Sequence, residues 1–381
     1  MGNCGQSNKF LIYFIMVSKR LIALDVLRGL TIALMIMVNN PGSWSYVYAP
    51  LRHSKWHGCT PTDLVFPFFL FIVGVSMWYS FKKYGEGLTK KGLLKVLKRF
   101  TVIFLLGLFL NAFPKFDFEN LRIFGVLQRI AIAYAIAAVL CMKFNFKQLL
   151  IVFALILVAY WGLLYFGGSE DVYGLASNIV RKVDLFIFGA NHVYNGFGIP
   201  FDPEGLLSSI TSVATVLIGY FSGRIIEFSG GTLQAIKKLA MYGVVAVIIG
   251  LLWDNLFPIN KALWTSSYVL YAGGLAMLFL AMLLWLIDVK GIKKWSNPFI
   301  HFGTNPLFIY VFSGIFAEIL FMIKVTNSSG ETISGQTYLY ENIFVPIAGN
   351  MNGSLLFAVT LILFYWLITY ILYKKKIFIK I

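Results

Sequence analysis

Leu64-Val65-Phe66-Pro67-Phe68-Phe69-Leu70-Phe71-Ile72-Val73-Gly74-Val75-Ser76-Met77-Trp78-Tyr79-Ser80-Phe81 runs without a single charged residue. As a helix it would extend about 27 Å, close to the ~30 Å hydrocarbon core of a bilayer. Directly ahead of it stands a polar stretch, His53-Ser54-Lys55-Trp56-His57-Gly58-Cys59-Thr60-Pro61-Thr62-Asp63. The pair reads as a boundary loop feeding a membrane-spanning helix. The loop also holds two of the chain's 4 histidines within five positions, which concentrates its near-neutral proton chemistry at one place.

The rest of the chain repeats the apolar pattern. Of 381 residues, 59% are hydrophobic and 13% charged, and the mean hydropathy is +0.79. A soluble domain carries about 25% charged residues, so this composition excludes one. Apolar runs occur at Leu21–Asn39, Leu64–Phe81, Phe100–Phe113, Ile123–Cys141, Leu149–Phe166, Leu206–Phe221, Leu239–Leu256, Leu263–Ile287, Phe299–Ile323 and Leu355–Tyr373. The expected fold is therefore an all-α polytopic membrane protein with about ten transmembrane helices. No Ser/Pro linker or charge block divides the chain, so residues 21–381 read as one transmembrane domain behind a 1–20 extension. The start resembles a myristoylation signal, but the hydroxyl residue falls one place late, at Ser7. Residues 1–15 read as lying ahead of the true start, with translation beginning at Met16.

The formal net charge of +16 invites a nucleic-acid reading, but the positions of the basic residues argue otherwise. With ten spans and the N-terminus inside, most of the 32 Lys and Arg fall on one side, notably in the Lys82–Arg99 segment and at Lys374–Lys380. Positive charge on the cytoplasmic side accounts for the imbalance. The expected orientation has both termini cytoplasmic and the His53 loop outside. Cys4, Cys59 and Cys141 fall in a tail, an outer loop and an inner helix end, so neither a disulfide framework nor a metal site is expected.

Charges within spans need a partner or a wet site. Asp25 and Arg28, three apart on the first helix, share a face and can pair. Gln128 and Arg129 interrupt the fourth span, and Asp202-Pro203-Glu204-Gly205 opens the sixth, where acidic groups suit a helix N-terminus. His53 stands at the outer boundary, where an imidazole can take a proton from an amine or hydroxyl. The residue alone equally fits a histidine that merely reaches the headgroups. Asn39 closes the first helix before Pro41-Gly42. Its amide could donate to a developing oxyanion, or it could simply end the helix.

Together these segments are familiar. Leu24-Asp25-Val26-Leu27-Arg28-Gly29, Met37-Val38-Asn39, His53 through Trp56 and Thr62-Asp63-Leu64-Val65-Phe66-Pro67 resemble the heparan-α-glucosaminide N-acetyltransferase family of transmembrane acyltransferases. The resemblance continues through Phe71-Ile72-Val73-Gly74, Arg122 to Arg129, Asp202 to Leu206 and Asn260 to Tyr268. It implies transfer of an acetyl group from cytosolic acetyl-CoA, the donor substrate, to the amine of a glucosamine-type sugar on the outer side. It also implies that His53 is the catalytic histidine, as base or acetyl-accepting nucleophile, with Asn39 beside it. A tunnel bounded by the first, second and fourth helices would bring the thioester to that histidine. Trp56, Asp202, Glu204, Arg122, Gln128, Arg129 and Asn305 are the candidate substrate-binding residues, and Asp25 with Arg28 an ion pair or site. Where animal members have asparagine-glycine after the tryptophan, this chain has His57-Gly58. The animal lumenal domain has no counterpart in the resemblance, which points to the inner membrane of a bacterium. Partners are a sugar or glycan acceptor and the bilayer, with no nucleic acid, as a monomer or homodimer. A secondary transporter of a sugar or anion and a glycan O-acyltransferase are the rival readings.

Overall fold

The computed structural model describes residues 21–81, 87–327 and 330–379. The 1–20 extension, and with it the expected start at Met16, lies outside the described residues. Within them the chain is almost entirely helical. The long helices are α1 (Ile22–Asn39), α2 (Val65–Phe81), α3 (Lys90–Ala112), α4 (Val126–Lys143) and α5 (Phe146–Gly167). A short helix, α6 (Ile179–Phe188), precedes α7 (Ser209–Phe228), α8 (Thr232–Asp254) and α9 (Ser266–Leu284). Then come α10 (Asn297–Thr304), α11 (Pro306–Met322), the short α12 (Gly335–Leu339) and α13 (Val345–Lys374). A two-stranded antiparallel hairpin, β1 (Lys324–Thr326) with β2 (Thr332–Ser334), links α11 to α12.

Eight helices among the described residues are long and apolar enough to cross a bilayer, and α10 with α11 form a ninth if the pair, bent by 76°, is one span. The protein is thus an all-α multi-pass membrane protein. The run expected at Phe100–Phe113 lies in the second half of α3, whose first half carries Lys90, Lys91, Lys95, Lys98 and Arg99. Its uncharged part alone reaches only about 20 Å, and α3 is not among the eight, so the described residues hold eight or nine candidate spans against the ten expected.

Small residues set how the helices meet. A Cβ on Gly74 of α2 would lie 1.9 Å from the Val216 carbonyl oxygen, and one on Gly219 of α7 would lie 2.0 Å from that of Phe71. The two backbones therefore touch, as in membrane helix pairs built on small residues. Buried Leu70, Phe71, Val213, Leu217, Tyr268 and Leu280 fill the centre, while Leu155, Val158, Ile248 and Leu252 on α5 and α8 face outward. Outward apolar side chains carry no penalty against lipid tails.

The connections sort by end. The C-terminal ends of α2, α4, α7 and α9 and the starts of α3, α5, α8 and α10 share one end of the bundle, the basic end, with the segment after α13. The opposite end gathers the 40–64, 113–125, 168–208 and 255–265 segments. These interlock: Gly58 N donates to Ile259 O (2.7 Å), Ile123 N to His192 O (3.1 Å), and Trp56 Nε1 to Tyr173 O (2.9 Å). These four segments form one cap over one end of the bundle.

Candidate functional site

The cap is organised around Asp63. Thr60 and Asp63 form a capping box ahead of α2, with Pro61 in the first helical turn, so the chain buries a carboxylate where it enters the bundle. Asp63 is 1% exposed, and its Oδ2 accepts from the backbone N–H groups of Ser54 and Thr60, both at 3.0 Å. Its Oδ1 lies 2.6 Å from His53 Nδ1 and 3.6 Å from Lys261 Nζ. The Asp63 main-chain carbonyl in turn accepts from Tyr268 Oη at 2.6 Å. This carboxylate is held from four directions.

A carboxylate has no proton to give, so the contact puts the hydrogen on His53 Nδ1 and leaves the lone pair on Nε2. The His53 side chain is 48% exposed while its partner is buried, so the imidazole faces solvent on a fixed support. Lys261 Nζ also comes within 3.2 Å of His53 Nδ1. Two donors cannot bond to each other, so the acceptor for Lys261 is Asp63, and its ammonium rests against the dyad as a neighbouring positive charge.

His57 does different work. Asn260 Nδ2 donates to its Nδ1 at 3.3 Å, and partial burial lowers its pKa despite Asp171 and Asp254 nearby. With Gly58, at φ +96°, it fastens the loop to Asn260. Cys59 is not a competing nucleophile: burial, with Asp63 beside it, pushes its thiol up to about 12, which keeps it protonated. Trp56 packs edge-on against Phe197 and Phe201, so it joins the His53 loop to the 168–208 segment.

Arg122, Asp202 and Glu204 form one ion cluster. Arg122 Nε and Nη2 donate to the two oxygens of Asp202 at 2.9 and 2.7 Å, and Nη2 reaches Glu204 Oε2 at 2.6 Å. The guanidinium also lies 4.7 Å over the Tyr194 ring. Burial works against the charge on Glu204, but Arg122 and Arg129 outweigh it and hold the carboxyl below its ordinary value. The fork expected to grip a substrate anion is thus occupied by the chain's own acids. Lys261 is within electrostatic reach of Glu204, so the cluster lies beside the His53 dyad.

Arg129 is fully buried at the start of α4. It bonds Ser208 Oγ, Ser209 Oγ (3.3 Å) and Gly205 O (3.4 Å), and it stacks 4.8 Å over Trp264. Gln128 donates to Ile123 O at 3.0 Å and fills the space beside Gly107. Asp184 on α6 accepts from Leu206 N at 3.1 Å through Oδ1. Arg129 Nη1 and Asp184 Oδ2 are buried without a hydrogen-bond partner among the described residues. Burial raises the Asp184 carboxyl to about 7.

The remaining sequence candidates lie elsewhere. Asn39 lines a separate cleft with Tyr310 and Glu318, and no hydrogen bond joins it to His53. Asn305, at the α10–α11 bend, gives its amide to Ile377 O (3.0 Å) and accepts from Ile379 N (2.7 Å), clasping the segment after α13. Asp25 and Arg28 are paired at 2.9 Å. Arg28 also reaches Gly303 O and Ser76 Oγ, tying α1 to α10 and α2 at the basic end. The residues the sequence reading left unassigned are Asp63 and Lys261. The capping-box spacing exposes Asp63 as a helix start, but Lys261 is brought in only by folding.

Comparison with known proteins bears on this constellation. Residues 20–188 match the family model described as heparan-alpha-glucosaminide N-acetyltransferase, catalytic. The chain is 28% identical to the mouse heparan-alpha-glucosaminide N-acetyltransferase over 96% of its own length and 61% of that protein. It is 28% identical to the human protein of the same name, over 95% of this chain and 60% of the relative. The chain thus spans about three-fifths of the length of these curated relatives. The family-model match takes in His53, Asp63, Arg122 and Arg129 and ends before Asp202, Glu204 and Lys261.

Proposed function

We propose, from the premise that this chain is a relative of the heparan-alpha-glucosaminide N-acetyltransferases, that it is a membrane-embedded acetyltransferase using acetyl-CoA and an amino-sugar acceptor. The observation that carries the reading is His53 Nδ1 at 2.6 Å from the buried Asp63 carboxylate. That contact fixes the ring and its tautomer, the arrangement by which a histidine acts as base or nucleophile.

The donor is a thioester whose nucleotide phosphates cannot cross lipid, whereas its acetyl-bearing arm is slender and uncharged. In our reading the basic end of the bundle faces the cytoplasm, in keeping with its Lys and Arg content. The thioester then approaches His53 from within the bundle. Nε2 either accepts a proton from the sugar amine as that nitrogen attacks the acetyl carbon, or itself attacks the carbon and passes the acetyl group on. In both routes the carbon–sulfur bond breaks, the carbonyl oxygen passes through an oxyanion, and CoA leaves as a thiol after protonation. Lys261, beside the dyad, is the cation nearest the developing negative charge among the residues assigned here. Arg122, Asp202 and Glu204 hold the cap in shape around the ring.

The test is incubation of the purified full chain with radiolabelled acetyl-CoA and a panel of amino sugars. Labelled N-acetyl product that depends on His53 supports the reading. Label in a hydroxyl ester would make the protein an O-acyltransferase. Uptake of sugar into vesicles without transfer would make it a secondary transporter, for which the 76° break between α10 and α11 is the supporting observation.

A further inference from the structure

The first three turns of α3 carry Lys90, Lys91, Lys95, Lys98 and Arg99 and no acidic residue. Among these cations stand Leu93, Leu94 and Leu97, all exposed. The two sets separate around the helix, where each residue turns by about 100°. Gly92, Val96 and Ile103 form the stripe buried against the bundle. Lys91, Lys95, Lys98 and Arg99 lie to one side of that stripe, and Leu93, Leu94 and Leu97 to the other. Water suits the first flank and hydrocarbon the second, so the headgroup layer of a bilayer, where the two meet, suits both. The length of the helix agrees. It runs unbroken from Lys90 to Ala112, and with the uncharged residues from Phe100 onward in hydrocarbon, the basic turns stand among the headgroups.

One place on the basic flank is shaped for an anion. A cavity of about 80 Å³ opens where α2 ends, α3 begins and α4 passes, and Ser80, Lys95, Val96, Arg99, Tyr134 and Met142 line it. Arg99 lies 4.8 Å over the Tyr134 ring, which is itself buried, so the guanidinium is held by its face. A guanidinium held that way keeps its in-plane N–H groups for oxygen acceptors, and a phosphate meets them two at a time. Lys95 stands one turn before Arg99 on the same flank and adds a second charge. Gly92 keeps the wall open, since a Cβ there would come within 3.1 Å of both Met142 Sδ and Thr89 Oγ1. The volume is far below the ~300–1,000 Å³ of sites for drug-sized ligands, so the cavity admits a phosphate group but not a nucleotide.

We infer that this niche binds the phosphate of an anionic glycerophospholipid, with Arg99 and Lys95 on the phosphate oxygens and the acyl chains in the hydrocarbon beside α3. Lys91 and Lys98 on the same flank add positive charge, which selects a headgroup of net negative charge over a zwitterionic one. The bound lipid fixes the inner turns of the helix whose uncharged part is the shortest of the long runs. The inference concerns the surface at the basic end and holds whether or not the protein transfers acetyl groups. CoA also carries phosphates, and the experiment separates it from the lipid.

The experiment titrates the full chain, purified in a neutral detergent, with phosphatidylglycerol and phosphatidylcholine and reads the bound lipid by native mass spectrometry, with CoA added as competitor. Wild type is compared with the double variant Lys95→Gln, Arg99→Gln and with Lys293→Gln, Lys294→Gln, a basic pair between α9 and α10 at the same end but outside the niche. Phosphatidylglycerol should bind wild type at least about tenfold more tightly than phosphatidylcholine. Loss of Lys95 and Arg99 should weaken it by roughly 25-fold, about fivefold for each cation removed. Loss of Lys293 and Lys294 should change it by less than about twofold, because neither touches the bound phosphate. Equal affinity for the two lipids, or an equal loss in both double variants, overturns the inference, since either result means diffuse charge and no site. CoA that displaces phosphatidylglycerol from wild type assigns the niche to nucleotide phosphates and overturns it as well. Where the niche variant does not fold, Arg99→Lys decides. It keeps the charge and loses the two-oxygen contact, so it should bind phosphatidylglycerol about fivefold more weakly than wild type, and equal affinity overturns the inference.

Discussion

His53 Nδ1 and Asp63 Oδ1 are 2.6 Å apart, although they stand ten positions apart in the sequence. The loop doubles back so that the capping residue of α2 becomes the support of the imidazole. Asp63→Asn keeps the shape but supplies an amide that can donate to Nδ1 and so favour the other tautomer. In a histidine–aspartate pair that change costs roughly 10²–10⁴-fold in turnover. The expected result is a large fall in kcat for acetyl transfer with KM for the amino sugar little changed. A fall confined to KM would show that Asp63 shapes the cap without tuning the ring.

Arg122 is predicted to matter for the stability of the cap. Its planar fork serves Asp202 and Glu204 together, which a lysine cannot reproduce. Arg122→Ala leaves two carboxylates facing each other without their cation, and removing one partner of a buried ion pair costs about 3–5 kcal/mol. Thermal unfolding of the detergent-solubilised protein should show Arg122→Ala well below wild type and Arg122→Lys between them. Equal midpoints would mean the cluster contributes nothing to folding.

Asp184 predicts a pH dependence with a definite sign. Burial raises its carboxyl to about 7, so between the ordinary carboxyl range near 4 and that value the folded chain holds a proton that the unfolded chain releases. Its contribution to stability is present at low pH and is lost as pH rises through about 7. The melting midpoint of wild type should therefore fall between pH 5 and 8 relative to that of Asp184→Asn, which cannot titrate there. Parallel profiles for the two proteins would contradict the assignment.

The close approach of Gly74 to the Val216 carbonyl predicts a packing effect on the site. A valine at position 74 would push against the Val216 carbonyl, where even a Cβ would come within 1.9 Å. Overpacking of this kind costs about 1–3 kcal/mol. Because α2 carries Asp63 at its entry, Gly74→Val should lower both the thermal midpoint and the acetyl-transfer rate.

Much of this architecture is legible in the chain because the bilayer demands long apolar helices, and runs such as Leu64–Phe81 and Leu149–Phe166 can meet that demand in only one way. The Asp25–Arg28 pair follows from i,i+3 spacing alone. Phe100–Phe113 falls short of a candidate span for a physical reason, since α3 devotes its first turns to Lys and Arg. The site is less legible. His53 stands out by composition, but its partners do not: Asp63 carries the signature of a helix cap, and Lys261 lies 208 residues away. Arg122, Asp202 and Glu204 read as separate binding groups in sequence, and the fold spends them on one another. Asn305 looks like a polar group awaiting a ligand, yet it satisfies the main chain of Ile377 and Ile379, a demand that only the fold reveals.

The most direct test of the central claim is a single-turnover assay with radiolabelled acetyl-CoA and glucosamine, comparing wild type with His53→Ala in nanodiscs. The account predicts labelled N-acetylglucosamine from wild type and a rate lower by roughly 10²–10⁴-fold for the variant, the worth of a positioned base. Transfer by His53→Ala at the wild-type rate would contradict it.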